Sequence, residues 1–280
     1  MWVRCGATAP QCGAVCFRST TMSREALMIE LKREIALASA LSGEGHVASA
    51  YSILDILWVL YDDVLQVDPQ HPDAKNRDRF ILSKGHASLG LYAVLAEKGF
   101  LPRSDLYSFG SLSSRLGGHP DSTLVRGVEA STGSLGHGLP FGVGVALALR
   151  LKGSEARVFV LVGDGECNEG SVWESVLLAA HHQLRNLICV VDYNHSTDRA
   201  LRLGNLAEKF SAFGWSPVTV DGHDHEALSS VLAAAQSDRP KAVIASTVKG
   251  HGCPPMEGSP AWHHRAPSAS ELPALLESME

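Results

Sequence analysis

The chain has 280 residues, of which 45% are hydrophobic and 19% charged, and a formal net charge of −6. This is the balance of a globular protein long enough to bury a sizeable core, not of a disordered chain. The negative charge argues against a nucleic-acid surface, which needs a concentrated basic stripe, and no apolar run approaches the ~20 residues of a membrane span.

Residues 1–21 differ from the rest: they carry Cys5, Cys12 and Cys16 and show no sustained amphipathic period. They read as a leader or disordered extension, with the folded domain expected over 22–280 and Met22 a better natural start. The other cysteines, Cys167, Cys189 and Cys253, are scattered without C-x-x-C spacing. Neither a zinc site nor a disulfide framework is indicated, and reduced, cytoplasmic thiols are the plain reading.

Apolar residues recur at helical spacing over residues 23–41, with Ser23 available as the cap. A second helix fits 53–61, and the Pro-, Asp- and His-rich stretch 67–79 reads as a loop. Residues 80–82 form a short strand that runs straight into Ser83-Lys84-Gly85-His86, after which helix is expected to Lys98. The glycine-, Ser- and Thr-rich segment 110–138 reads as an extended functional loop, and helix follows over 141–151. Then strands at 157–162, 187–191, 218–220 and 242–246 alternate with helices at 171–182 and 225–235. Strands apolar on both faces, alternating with helices, predict an α/β fold: a parallel sheet with helices on both faces.

Ligands of an open parallel sheet sit beyond the carboxyl ends of its strands. Gly163-Asp164-Gly165 directly follows one buried strand, and Asn194 lies thirty positions later, after the next. Glycines beside Asp164 let the backbone approach a diphosphate closely. A carboxylate, an amide oxygen and a nearby carbonyl, that of Ser196, are hard oxygen ligands suited to Mg²⁺. A bound cation also explains how an acidic chain could hold an anionic cofactor. Taken alone, a Gly-Asp-Gly is an ordinary turn; its place beside a second polar strand end is what gives it weight.

Thirteen histidines are many for this length, although a single His is more often a surface or satisfied core residue than a catalyst. His86, His119 and His263 stand among glycines or prolines in loops, where an imidazole suits proton transfer to a hydroxyl or carbonyl. His181, His182, His223 and His225 carry no such signal and read as ordinary. Glu169 and Glu174 would by themselves be acids favoured at a helix start.

The run Gly163-Asp164-Gly165-Glu166-Cys167-Asn168-Glu169-Gly170, continuing to Asp192-Tyr193-Asn194, resembles the thiamine-diphosphate motif of transketolases. Ser83-Lys84-Gly85-His86, Gly118-His119-Pro120, the run from Ser131 to Gly138, Gly43-Glu44-Gly45-His46 and Thr247-Val248-Lys249-Gly250-His251-Gly252 fall in the same order as in that family. The resemblance covers residues 24–267. It implies thiamine diphosphate with Mg²⁺, or Ca²⁺ or Mn²⁺ in substitution, held by Asp164, Asn194 and the Ser196 carbonyl. Gly163, Gly165 and Glu166 would turn beside the diphosphate, and Gly133, Ser134 and Leu135 would pass along the aminopyrimidine. His86 and His263 would contact the diphosphate or line the channel, His46 and His119 would face substrate hydroxyls, and Glu169 and Glu174 would communicate between paired sites.

Full-length transketolases carry a second α/β domain, whose glutamate binds the aminopyrimidine, and a third domain. The resemblance is to the N-terminal subunits of split transketolases, and implies a C-terminal-type partner subunit in an α2β2 heterotetramer. The expected reaction is ketol transfer from a ketose to an aldehyde or acyl acceptor, which could be carrier-protein-bound in a specialised pathway. Competing readings are a component of a 2-oxoacid dehydrogenase or decarboxylase, and a non-catalytic cofactor-binding subunit. The sequence departs from the family in placing Val47-Ala48 where Pro-Gly is usual, His137 where Gln is common, and Asp121 for a frequent Glu.

Overall fold

A computed structural model describes residues 22–235 and 237–279; the expected leader, 1–21, lies outside them. Five strands build one parallel sheet: β1 (Arg79–Leu82), β2 (Val158–Gly163), β3 (Leu187–Tyr193), β4 (Ser216–Asp221) and β5 (Lys241–Ser246), in the spatial order β1-β2-β3-β5-β4. Every pairing is parallel.

The strands bury apolar residues on both faces, as expected. Phe80, Leu82, Phe159, Leu161, Ile188 and Val190 point into one core with α1 (Arg24–Ser42), α2 (Val47–Val59) and α3 (Ser88–Glu97). Ile81, Val158, Val160, Val162, Leu187 and Cys189 point into the other, against α4 (Gly138–Leu151), α5 (Gly170–His181) and α6 (Leu206–Ala212). The first core also takes in α7 (His225–Ala233) and α8 (Leu272–Glu277). The α/β sheet with helices on both faces is thus as expected.

Helix ends follow local chemistry. Ser23 caps α1 by accepting the Ala26 N–H at 3.2 Å, and Asp224 caps α7 by accepting those of Glu226 and Ala227. The largest departure is α2, which begins at Val47 rather than residue 53 and passes at Leu60 into a π-helical turn ending at Val64. All thirteen of its residues are buried, so there is no polar face whose period a sequence could display. The short helices α6 and α8, of seven and six residues, have too few turns for the sequence pattern to announce them. Cys167, Cys189 and Cys253 are free and buried.

Candidate active site

In register, Gly163 at the end of β2 lies beside Asp192 in β3, so Asp164 and Asn194 emerge at one rim. β1 delivers His86 to that rim in the turn Gly85–Ala87, His46 stands at the start of α2, and His263 closes the turn Pro260–Trp262. The segment 110–138, free of helix and strand until α4 begins, brings His119, Gly133 and Leu135 to the same rim. Twelve of the predicted residues line one cavity of about 390 Å³: His46, His86, His119, Gly133, Leu135, Gly163, Asp164, Gly165, Glu166, Asn194, Ser196 and His263. Ser134 lies outside it, exposed, with its hydroxyl 3.2 Å from His137 Nδ1. Glu169 and Glu174 also lie outside, exposed at the start of α5.

Two buried carboxylates stand at adjacent strand ends. Asp192 is fully buried and fully partnered. Its Oδ1 accepts from Ser52 at 2.7 Å and from Thr247; its Oδ2 accepts from Asn194 Nδ2 at 3.0 Å and pairs with Lys84. Burial opposes its ionisation, but Lys84 and these donors outweigh burial and hold it below the usual carboxylate range. Asp164, 2% exposed, is different. Its Oδ1 accepts the Gly165 N–H at 2.7 Å and the Ser196 hydroxyl at 3.1 Å, while its Oδ2 is buried without a partner. Burial and the neighbouring charge of Asp192 push its carboxyl up.

An orphaned carboxylate oxygen, with the Asn194 amide and Ser196 beside it, is the hard oxygen set that a divalent cation completes, so these residues fit Mg²⁺. Ser196 meets Asp164 through its hydroxyl, and its carbonyl, the expected ligand, takes no part in that contact.

Glu166, expected in the turn beside a diphosphate, lines the cavity and also ties three segments together. Its Oε1 accepts from the Ser83 hydroxyl and from the Gly136 N–H at 2.8 Å, and its Oε2 accepts from Gly163 at 3.2 Å. Gly136 has φ +79°, and a Cβ there would lie 2.5 Å from Ser171 Oγ, so the loop can pass only as glycine.

The imidazoles form a cluster. His46 lies with its ring centroid 4.9 Å from His86 and 6.1 Å from His263. Burial and then the Lys84 charge push His86 down to about 2; burial, then His264 and His263, lower His46 to about 4. Burial and Lys249 lower His263 too. Lys249, itself lowered to about 8 by burial and Lys84, has its Nζ 2.9 Å from His263 Nδ1. An ammonium can only donate, so His263 Nδ1 accepts and its Nε2 carries the proton. These rings are neutral near pH 7, able both to donate and to accept.

Five residues of this site have no role that the sequence pattern reveals: Ser52, Asp192, Thr247, Lys249 and His264. His264 stacks on His46 with centroids 4.3 Å apart. The available signals are the tandem His263-His264 and an acid, Asp192, closing an otherwise apolar strand.

The parallel sheet, with oxygen donors and a glycine-rich loop meeting in one cavity at its carboxyl rim, is the frame of a thiamine-diphosphate-binding type of domain. Residues 25–278 match the family described as transketolase, thiamine diphosphate binding domain. The chain belongs to the transketolase family. It is 39% identical over 257 residues to a subunit of the apulose-4-phosphate transketolase of Actinobacillus succinogenes, covering 89% of this chain and 93% of the relative. It is 41% identical over 249 residues to a Rhodococcoides fascians protein named ferredoxin fas2, covering 88% of this chain and 82% of the relative. Among solved structures, transketolase of Campylobacter jejuni superposes with TM-score 0.80 at 31% identity, and that of Leishmania mexicana with 0.83 at 28%. The matches cover 88% and 92% of this chain but 41% of each of those longer chains.

Proposed function

We propose that this chain is the cofactor- and Mg²⁺-holding component of a two-subunit transketolase, transferring a two-carbon ketol unit from a ketose to an aldehyde or acyl acceptor. The observation that carries the reading is Asp164 Oδ2, a buried oxygen without a partner, in the cavity that holds the neutral imidazole cluster. Asp164, Asn194 and Ser196 would hold Mg²⁺, with Ca²⁺ or Mn²⁺ able to substitute. Gly163 and Gly165 leave open space for a diphosphate: a Cβ on either would meet nothing nearer than 3.8 Å. When bound, thiamine diphosphate supplies the carbon nucleophile that protein side chains lack.

The chain's own residues bind, orient and move protons around it. His263 presents its Nε2 proton while Lys249 fixes the ring. His46, His86 and His119 exchange protons with donor and acceptor hydroxyls, a contribution of about 10²–10⁴ in rate for a positioned acid–base group. Leu135 and Gly133 line the pyrimidine end, with Ser134 just beyond. By holding the Asn194 amide nitrogen, Asp192 would orient this ligand; the amide oxygen, which accepts the Ser196 N–H at 3.1 Å, keeps its second lone pair for the cation.

The partner is a C-terminal-type transketolase subunit supplying the glutamate for the aminopyrimidine, in an α2β2 assembly. Two features support such docking. Two relatives of similar length are named as subunits: the Actinobacillus succinogenes protein is one, and a Clostridium protein of a 6-deoxy-6-sulfo-D-fructose transketolase is another. In addition, α4 and α5 expose Phe141, Leu177 and Leu178 at 50%, 59% and 46%, and Glu174 is exposed on α5. Exposed apolar side chains on two helices that pack together offer a surface for another protein. Glu169 and Glu174 would then carry communication between paired sites. A cytoplasmic location fits the free buried thiols; among the described residues no helix is long and apolar enough to cross a membrane.

Calorimetric titration of thiamine diphosphate and Mg²⁺ into the chain, alone and with its partner subunit, tests the reading. Tight binding that needs both metal and partner, followed by turnover of hydroxypyruvate, is expected. Turnover of pyruvate instead would assign the chain to a dehydrogenase or decarboxylase, and no binding under any condition would end the proposal.

A further inference from the structure

A second group of titratable side chains converges at the β4 edge of the same rim. Asp55 projects from α2, His223 follows β4, His225 opens α7 and His251 lies in the loop after β5. Asp55 is 5% exposed. Its Oδ2 lies 2.8 Å from His223 Nδ1 and its Oδ1 2.7 Å from His225 Nε2. His251 stacks on His223 with ring centroids 3.6 Å apart, and its side chain makes no hydrogen bond among the described residues. One ligand atom each from Asp55, His223 and His251 lie within 4.8 Å of one another. A cavity of about 420 Å³, walled on its far side by Met28 and Lys32 of α1, opens the group to solvent.

We propose that Asp55, His223 and His251 form a binding site for a transition metal of the zinc class, with His225 orienting the carboxylate. Tetrahedral ligation at about 2.0–2.2 Å places ligand atoms roughly 3.3–3.6 Å apart, which small side-chain rotations reach from the observed spacing. Two imidazoles and one carboxylate favour Zn²⁺, Co²⁺ or Ni²⁺ over Mg²⁺, and the cavity leaves the fourth position to water. The outer contact on Asp55 matches one that orients metal ligands elsewhere, and an acid stands near His251. His225 holds the second oxygen of Asp55, and Glu257 Oε1 lies 3.8 Å from His251 Nδ1. The present hydrogen bonds are what loading must displace. His223 accepts the Val248 N–H at Nε2, 2.9 Å away, so its proton is on Nδ1 and faces Asp55. Ligation through Nδ1 moves that proton to Nε2 and frees the Val248 amide; Val248 is 43% exposed, so water can take its place.

The site shares its supports with the cofactor cavity. Ser52, one turn before Asp55 in α2, bonds Asp192, and the loop bearing His251 also bears Thr247 and Lys249. A metal at Asp55 would therefore hold the loop that sets Lys249 against His263.

The test is a Co²⁺ titration of the full chain with Mg²⁺ in excess, which fills the hard oxygen site at Asp164. The expected result is a saturable tetrahedral cobalt absorption without thiolate charge-transfer bands, erased by Zn²⁺, with faster hydrogen exchange at Val248. His251→Ala, at a partly exposed ring, should keep its circular dichroism and lose affinity by more than about 100-fold, whereas His225→Ala should lose about 10–100-fold, as an outer orienting group does. No saturable absorption, a thiolate-type spectrum, or unchanged affinity in His251→Ala would overturn the site. Thiamine diphosphate and the partner subunit take no part in the measurement, so its result stands apart from that of the proposed function.

Discussion

The two histidine clusters at this rim use the same side chain in opposite settings. Around His46, His86 and His263 the charges that act on the rings are the cations Lys84 and Lys249, and among the described residues no carboxylate bonds to any of the three rings. Around Asp55 a buried carboxylate takes a hydrogen bond from each of two imidazoles. Burial would raise the Asp55 carboxyl, but His223, His225 and then Lys32 outweigh it and hold it below the usual range. In the first setting a ring keeps its lone pair and its proton exchangeable near neutrality; in the second it is fixed in place against an anion. Asp164 and Asp192 repeat the contrast among acids, one oxygen orphaned in the first and every oxygen answered in the second.

The largest effect should come from erasing the orphaned oxygen. Asp164→Ala should abolish Mg²⁺-dependent thiamine diphosphate binding by calorimetry while leaving the fold intact, and retained affinity would remove Asp164 from the metal site. The partnered acid should answer to stability instead. Lys84→Met leaves the Asp192 charge buried without its cation and should cost about 3–5 kcal/mol in denaturant unfolding. Asp192→Asn added to Lys84→Met should recover most of that loss; a purely additive double variant would deny the pairing.

His263→Ala is expected to lower turnover of the assembled enzyme by about 10²-fold or more with little change in cofactor affinity. An unchanged rate would make the ring scaffold only. Smaller again is a pH effect. The folded-state pKa of His86 is depressed to about 2, so below the ordinary value of about 6.5 the unfolded chain takes up a proton that the folded chain refuses. The contribution is fully present above that value and is lost as pH falls from there toward the folded pKa. Between pH 7 and 5, His86→Asn should therefore lose less Tm than the unaltered protein, by on the order of 2–4 °C; parallel curves would show that the ring is not held neutral by its surroundings. The smallest change is expected from deleting residues 1–21, which should leave activity and Tm as they were. Loss of folding would show that the leader is structural.

Much of this is legible in local pattern. Strands at 80–82 and 157–162 are apolar at every position after the first turn residue, which requires cover on both faces, and that alone announces a parallel sheet. Polar residues directly after such strands then fall at the ligand rim, and the fold brings Asp164 and Asn194 to one cavity. The start of α2 is hidden because a helix buried all round shows no period. The motif position of Glu166 places it in the turn beside the diphosphate but says nothing of Ser83 or Gly136, which meet it only in the fold.

The sequence by itself determined the sheet, the helices with an exposed face and the chemical types at the strand ends, because propensity, capping and alternation act over a few residues. Only the tertiary structure decided which charges meet. Lys84 reaches Asp192 across 108 positions, and Asp55 reaches His223 and His225 across 168 and 170. A buried charge must find its partner wherever packing brings one, and no local rule records that distance.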